Sequence, residues 1–351
     1  MLVQENAGPR PFRRWLLALS CLACLASTAV AQPGEAPHSL AYDAQSRGPV
    51  PIPPTERGLQ TVVAELWFKV SDEAFPLEGA AFDRRGDLLF VDAAGGRAFR
   101  LTPDKHLSIV LPGSKQQLGG LAVHKDGRIF AARTGEGFRN GSVVAMQPDG
   151  SGLRTVVPAD AGYVVNDLVF DAQGGFYFTD FRGTSTDPKG GVYYVSPDHS
   201  TVTPVLPNLA MANGVALSPD GKVLWATEFA RNLLHRVELA NPTTPTPIGT
   251  AVPYHFTGPA PDSMRVDSDG NVYVAVYGQG RVLAFNRNGI PIGQVLLPGR
   301  GEVHNLRSTS LALKPGTDEL FIVTNDGDGG QGSNIFHTRG FAKALPLFSH
   351  R

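Results

Sequence analysis

Four oxygen-bearing side chains recur at one phase of this sequence. Glu78, Asn166, Asn213 and Asp262 each stand eight residues ahead of a glycine, at Gly86, Gly174, Gly221 and Gly270. Two are carboxylates and two are amides, with no His or Cys among them. Such a donor set suits a hard cation, and Ca²⁺ better than zinc. A cation held this way polarises a carbonyl and stabilises the oxyanion that forms when water adds. Calcium acidifies bound water less than zinc does, so the chemistry needs a carboxylate helper. Asp262 is the candidate, as ligand and as proton-transfer group. Singly, each of the four reads as a turn, cap or edge residue. Their common register is what distinguishes them.

The glycines belong to a repeated phrase: an apolar residue, a turn ending in Gly, then an alternating apolar strand. The copies run Phe82 to Gly86, Val123 to Gly127, Phe170 to Gly174, Leu217 to Gly221 and Val266 to Gly270, with a looser sixth from Leu313 to Gly316. Successive glycines are 41, 47, 47, 49 and 46 residues apart. An Asp at the head of the turn can accept hydrogen bonds from the backbone ahead of it, and Gly takes the positive φ that reverses the strand. Composition agrees, with 40 Gly and 28 Pro in 351 residues and only 18% charged side chains. That is a chain of many short strands and tight turns.

A repeat of this length is one propeller blade of four strands. The sequence therefore predicts an all-β fold, a six-bladed β-propeller of four-stranded antiparallel blades over residues 56–351. The innermost strand of each blade lines the axis, so residues at its entrance converge and would form a central metal site. The segment Leu59 to Trp67 has strand character ahead of the first copy, and is expected to complete the last blade and leave no free edge.

Residues 1–31 read as an export signal. Arg10, Arg13 and Arg14 precede the apolar run Trp15 to Leu25, and Ala29-Val30-Ala31 offers a cleavage point. Arg13-Arg14 is compatible with a twin-arginine route as well as the general one, and either places the mature chain in the periplasm or outside the cell. The apolar run is too short to span a bilayer comfortably. Both cysteines, Cys21 and Cys24, lie within it, so their spacing signals neither zinc nor redox chemistry. Residues 32–55 follow as a flexible segment. The mature chain carries a net charge of −3, which removes the electrostatic case for a nucleic-acid or anionic-membrane partner. Nothing in it suggests an assembly segment, and a monomer is expected.

Beyond these residues, the phrases Gly174 to Gly183, Gly190 to Asp198, Tyr277 to Val282 and Gly340 to Lys343 carry a resemblance to a known family. The chain resembles the senescence-marker-protein (SMP-30), gluconolactonase and luciferin-regenerating-enzyme group from about Leu59 onward. Within that group it is most similar to a branch of bacterial drug-responsive lactonases. The resemblance implies Ca²⁺-dependent hydrolysis of a small-molecule lactone, with metal ligands at Glu78, Asn166, Asn213 and Asp262 and Ser263 beside them. That branch has an acid where this chain has Asn166, so the charge around the ion is less fixed than its position. It also has a second, structural calcium. The matching stretches here, Asn140 to Ser142 and Ala159 to Tyr163, align poorly and leave that ion open.

Arg182, His304 and Arg307 could line the same channel mouth and meet substrate. The run Thr324 to Asn334 is faintly like a calcium loop but has His337 where the closing Glu belongs, and no Gly-x-Ser-x-Gly elbow or His-Glu-x-x-His motif occurs. A sugar-lactone or phosphotriester hydrolase, and a non-catalytic ligand-binding propeller, stay open on the same scaffold.

Overall fold

All six turn glycines are left-handed, with φ of 83°, 92°, 94°, 70°, 83° and 78° from Gly86 to Gly316. An L side chain is strained there, which explains why the phrase repeats glycine. The head residues do what their type predicts. Asp83, Asp171 and Asp267 each accept a backbone N–H two residues on, from Arg85 at 2.8 Å, Gln173 at 2.8 Å and Asp269 at 3.0 Å.

The computed structural model describes residues 39, 40, 42 and 46–351. The expected export signal lies outside these residues. Ser46 to Arg351 belong to one compact unit. Its strands make six sheets whose inner strands are Leu77–Phe82, Gln117–Val123, Val165–Phe170, Ala212–Leu217, Pro261–Val266 and Arg307–Leu313. In each sheet neighbouring strands pair antiparallel, apart from a parallel strand added to the outer edge of the fifth, and this is a six-bladed propeller.

Burial follows the same order. The second strand of the first, third and fifth blades, such as Phe176–Asp180, is buried at every position, whereas the outer strand Arg154–Val157 is largely exposed. The core is not central. It lies in six apolar clusters, each shared by two successive blades: Leu89 and Val91 of the first blade pack with Leu121 and Val144 of the second, and Phe321 and Ile335 of the sixth return to Phe82 and Phe90.

Ring closure differs from the sequence expectation. Leu59 to Trp67 is not one strand. Gln60–Val63 adds in parallel to the outer edge of the fifth blade, against Gly293 to Leu296, and Glu65–Ser71 completes the sixth, with Glu65 opposite His337. Ala64 is buried at the step between them, its N–H donating to Leu296 O at 3.0 Å. The leading segment, expected to be flexible, is held over its last residues. Val50 O accepts Arg300 Nη2 at 2.7 Å and Ile52 O accepts Arg57 Nε at 3.1 Å, and just beyond the segment the buried Glu56 pairs with the fully buried Arg281.

At the end where inner strands finish, Ala344 to Arg351 border a cavity of about 480 Å³ inside the ring. Phe348 seats its ring on His124 and Phe170, at 4.9 and 5.5 Å.

Candidate functional site

The four predicted positions occupy one place in the fold. Glu78, Asn166, Asn213 and Asp262 are each the second residue of an inner strand. In the two other blades that place falls to Gly119 and Thr309, counted from the paired residues on either side. Gly119 has no room for a side chain, because a Cβ there would lie 2.1 Å from Asn166 O.

At this level the ladder pairing shifts in every blade, between Glu78 and Ala81, Leu118 and Leu121, Val165 and Leu168, Ala212 and Val215, Pro261 and Met264, and Ser308 and Ser310. A bulge suspends the strict in–out alternation of a strand. Two successive residues can then serve the axis, which is why Ser263 can join Asp262.

Threonines on the second strands lock these bulges. Thr227 Oγ1 accepts the Gly214 N–H at 2.7 Å and donates to Asp262 O, across the blade boundary, at 2.8 Å. Thr179 repeats the arrangement, accepting from Asp167 N and donating to Asn213 O.

Inside the ring, the charge of Glu78 bears on Asp262, and the Asn213 amide favours the ionised form of the Asp262 carboxyl. Glu78 Oε2 also accepts the Gly79 N–H at 3.1 Å. Three buried oxygens here have no hydrogen-bond partner among the described residues: Asn213 Oδ1, Asp262 Oδ1 and Ser263 Oγ. Buried oxygens are seldom left so. Burial pushes the Glu78 carboxyl up to about 8, and it raises Asp262 well above the carboxylate range, with the Glu78 charge adding to the effect. Two acids that repel each other beside orphaned oxygens form a cradle that a cation would satisfy. Among the described residues no three His, Cys, Asp or Glu side chains gather into one site. A cation here would rely on amide and hydroxyl oxygens as well, which fits a hard ion.

Sequence reasoning missed the layer beneath. Asp167, fully buried, accepts the Leu168 N–H at 2.9 Å and lies 3.3 Å from Arg265 Nη1. Arg265 donates to Met264 O at 2.6 Å and to Ala80 O at 2.9 Å. Arg265 thus reaches from the fifth blade to the first and third, a crossbar over the axis. Burial raises the Asp167 carboxyl, and Arg265 opposes this. The only forewarning was that Asp167 follows Asn166 and that Arg265 lies three residues after Asp262.

The second strands end at the same rim, since Asp180 pairs with Val165, Glu228 with Ala212 and Val276 with Pro261. The next residues are Phe181, Phe229 and Tyr277. With Phe138 from the second blade they form an arc of rings, with centroids 5.9, 5.6 and 5.9 Å apart in the order Phe138, Phe181, Phe229, Tyr277. In the sixth blade Asp326 holds that place.

The three further candidates stand on this rim, outside the oxygen ring. Arg182 is tied to Asp180 at 2.7 Å and lies over the Tyr163 ring at 5.6 Å. His304 Nδ1 meets Asp326 Oδ2 at 3.0 Å. Arg307 is exposed, at the start of its strand. The stretches where a second ion was left open do meet, Gly141 N donating to Tyr163 O at 2.7 Å. Their one carboxylate, Asp160, is exposed.

Fold and rim together define a class: a six-bladed propeller with an oxygen-lined site at one end of its axis. The chain belongs to the SMP-30/Gluconolactonase/LRE-like family, whose sequence pattern matches residues 77–326. It is 48% identical over 309 residues to a protein of Staphylococcus saprophyticus named lactonase drp35, covering 87% of this chain and 95% of that one. A Staphylococcus aureus protein of the same name is 47% identical over 314 residues, 88% and 97% of the two chains. The fold is that of regucalcin from Agrobacterium tumefaciens, described as a calcium-binding protein, with a TM-score of 0.67, 18% identity and coverage of 83% and 99%. A gluconolactonase from Xanthomonas campestris gives a TM-score of 0.64 at 21% identity, over 79% and 90% of the chains.

Proposed function

We propose that this protein is a calcium-dependent lactonase that opens small apolar lactones, aromatic ones included, to hydroxy acids. The observation that carries the reading is the trio of unpartnered oxygens beside two mutually repelling carboxyls. It is supported by relatives nearly half identical that bear the name lactonase. Glu78, Asn166, Asn213 and Asp262 would hold the ion, with Ser263 Oγ facing the same space. The ion supplies electrophilic polarisation of the lactone carbonyl.

The chain does the rest. Asp262 takes a proton from the attacking water and returns it to the ring oxygen as the C–O bond breaks. Thr227 fixes the Asp262 backbone, so the carboxyl cannot retreat from that position. The Phe138–Tyr277 arc excludes water on one side and offers flat apolar surface to the body of the substrate. A sugar lactone would leave its hydroxyls facing those rings, and this favours apolar lactones over gluconolactone.

The test is hydrolysis of aromatic, aliphatic and sugar lactones and a phosphotriester by protein stripped with chelator and then given Ca²⁺. The expected result is lactone turnover that disappears and returns with calcium, fastest on the aromatic members. Calcium binding without any turnover would mean a binding protein. Turnover indifferent to chelator would mean that the oxygen ring has been misassigned.

A further inference from the structure

Ring opening yields a carboxylic acid that ionises at neutral pH, so every turnover must pass one proton to solvent. Asp262 is poorly placed to do this, since it is only 3% exposed. One group on the rim is built for the task. His304 stands in the loop that leads into the inner strand of the sixth blade, beside the blade that carries Asp262.

His304 Nδ1 lies 3.0 and 3.3 Å from the two oxygens of Asp326. Asp326 is itself pinned by the N–H groups of Asn305 at 2.7 Å and Gln331 at 2.8 Å. Burial alone would raise the Asp326 carboxyl. Those N–H groups and His304 outweigh it and hold the carboxyl below its ordinary value, so it stays an acceptor. The proton of a neutral His304 then belongs on Nδ1, which leaves the Nε2 lone pair outward. Nε2 has no partner among the described residues, and the side chain is 29% exposed.

The loop is strained to achieve this. Val303 and Asn305, on either side of His304, have φ of 70° and 53°, and a left-handed β-branched residue is a true outlier. Asn305 is held in turn by Gln331 Oε1 and Asn334 Nδ2, both at 3.0 Å. Strain so firmly retained beside an oriented imidazole is a sign of use.

We propose that His304, positioned by Asp326, is the proton exit of the site. The inference rests on the lactonase reading. Water loses one proton to Asp262 as its oxygen joins the carbonyl carbon, and that proton goes to the departing ring oxygen. The new carboxylic acid gives its remaining proton to His304 Nε2, which hands it to solvent or buffer. One water is consumed and one proton released, with no other reactant.

The test is the turnover of His304→Ala on whichever lactone the wild type opens, in a bulky buffer and then with added imidazole. The expected loss in kcat is on the order of tenfold or more, with KM little changed and much of kcat restored as imidazole rises, while the wild type ignores imidazole. A merely structural histidine would give a loss that imidazole does not relieve, and this result, or an unchanged kcat, overturns the proposal. Metal-free protein gives a second readout through long-range ¹H–¹⁵N spectra. His304 should carry its neutral proton on Nδ1, and Asp326→Asn should weaken that preference. An Nε2–H form in the wild type overturns the proposal. A wild type that opens no lactone brings down the functional reading and the proposal with it, whereas an active wild type with an unrescued variant brings down the proposal alone.

Discussion

Asp262→Asn should stabilise the metal-free protein while destroying its function. Without metal, the half-buried Glu78 and the buried Asp262 bear on each other's charge, and Glu78 is held up to about 8. Each unit by which burial and repulsion raise a carboxyl makes its ionised form about 1.4 kcal/mol less favourable in the fold. Replacing one acid with an amide removes their repulsion. A gain on the order of 1–3 kcal/mol at pH 8 is expected, or a melting temperature about 2–6 °C higher for a chain of this size. Calcium should reverse the ranking. A cation at 100 times its Kd stabilises the wild type by about 2.7 kcal/mol, and the variant, short of one charged ligand, gains little. Near pH 5 the Glu78 carboxyl of the wild type keeps its proton, so the repulsion fades and the metal-free curves should converge. Calorimetry with chelator and with Ca²⁺ at the two pH values measures all four states. A variant that melts below the wild type at pH 8 without metal, or that keeps a full calcium response, would refute the argument.

The same ring sets a pH dependence. A carboxyl raised in the fold favours folding fully below its unfolded value and loses that contribution as pH climbs towards its folded one. The chelated protein should therefore melt at falling temperature from about pH 4.5 to about 8, a slope that saturating calcium flattens. Thr227→Val removes the bonds to Gly214 N and Asp262 O, so urea unfolding should show a loss of about 1–3 kcal/mol, together with weaker calcium binding by titration. Glu56→Ala leaves Arg281 buried without its carboxylate and should cost about 3–5 kcal/mol, with kcat of the still-folded protein little altered. Phe229→Ala breaks the aromatic arc at its middle. It should lower kcat/KM for an aromatic lactone by about tenfold, the equivalent of 1.4 kcal/mol, and do less to a small aliphatic one.

The parts legible in the sequence were those forced by backbone geometry. Glycine recurs because the turns need positive φ, so its spacing reported six blades, and a residue's distance from that glycine reported its height on the axis. That logic reached Glu78, Asn166, Asn213 and Asp262. It did not reach the inward Asp167, because the alternation of a strand predicts that the neighbour of Asn166 faces away, and only a bulge reverses this. The crossbar from Arg265 joins residues whose numbers have no periodic relation. The leading segment misled for a similar reason: Leu59 to Trp67 has uniform strand character, and its division between two blades at Ala64 depends on partners near Leu296 and His337. In the sixth copy glycine stands three residues after the apolar head, not four, so counting eight back from Gly316 lands on Ser308, one residue short of Thr309.

Because Arg265 crosses the axis beneath the oxygen ring, and the C-terminal residues border the space below it, the propeller is a blind alley and not a pipe. On the proposed lactonase reading, substrate would enter and hydroxy acid depart by the rim that carries the aromatic arc and His304. Accumulating product would then compete directly with fresh lactone, and the proposed enzyme would be throttled by its own output.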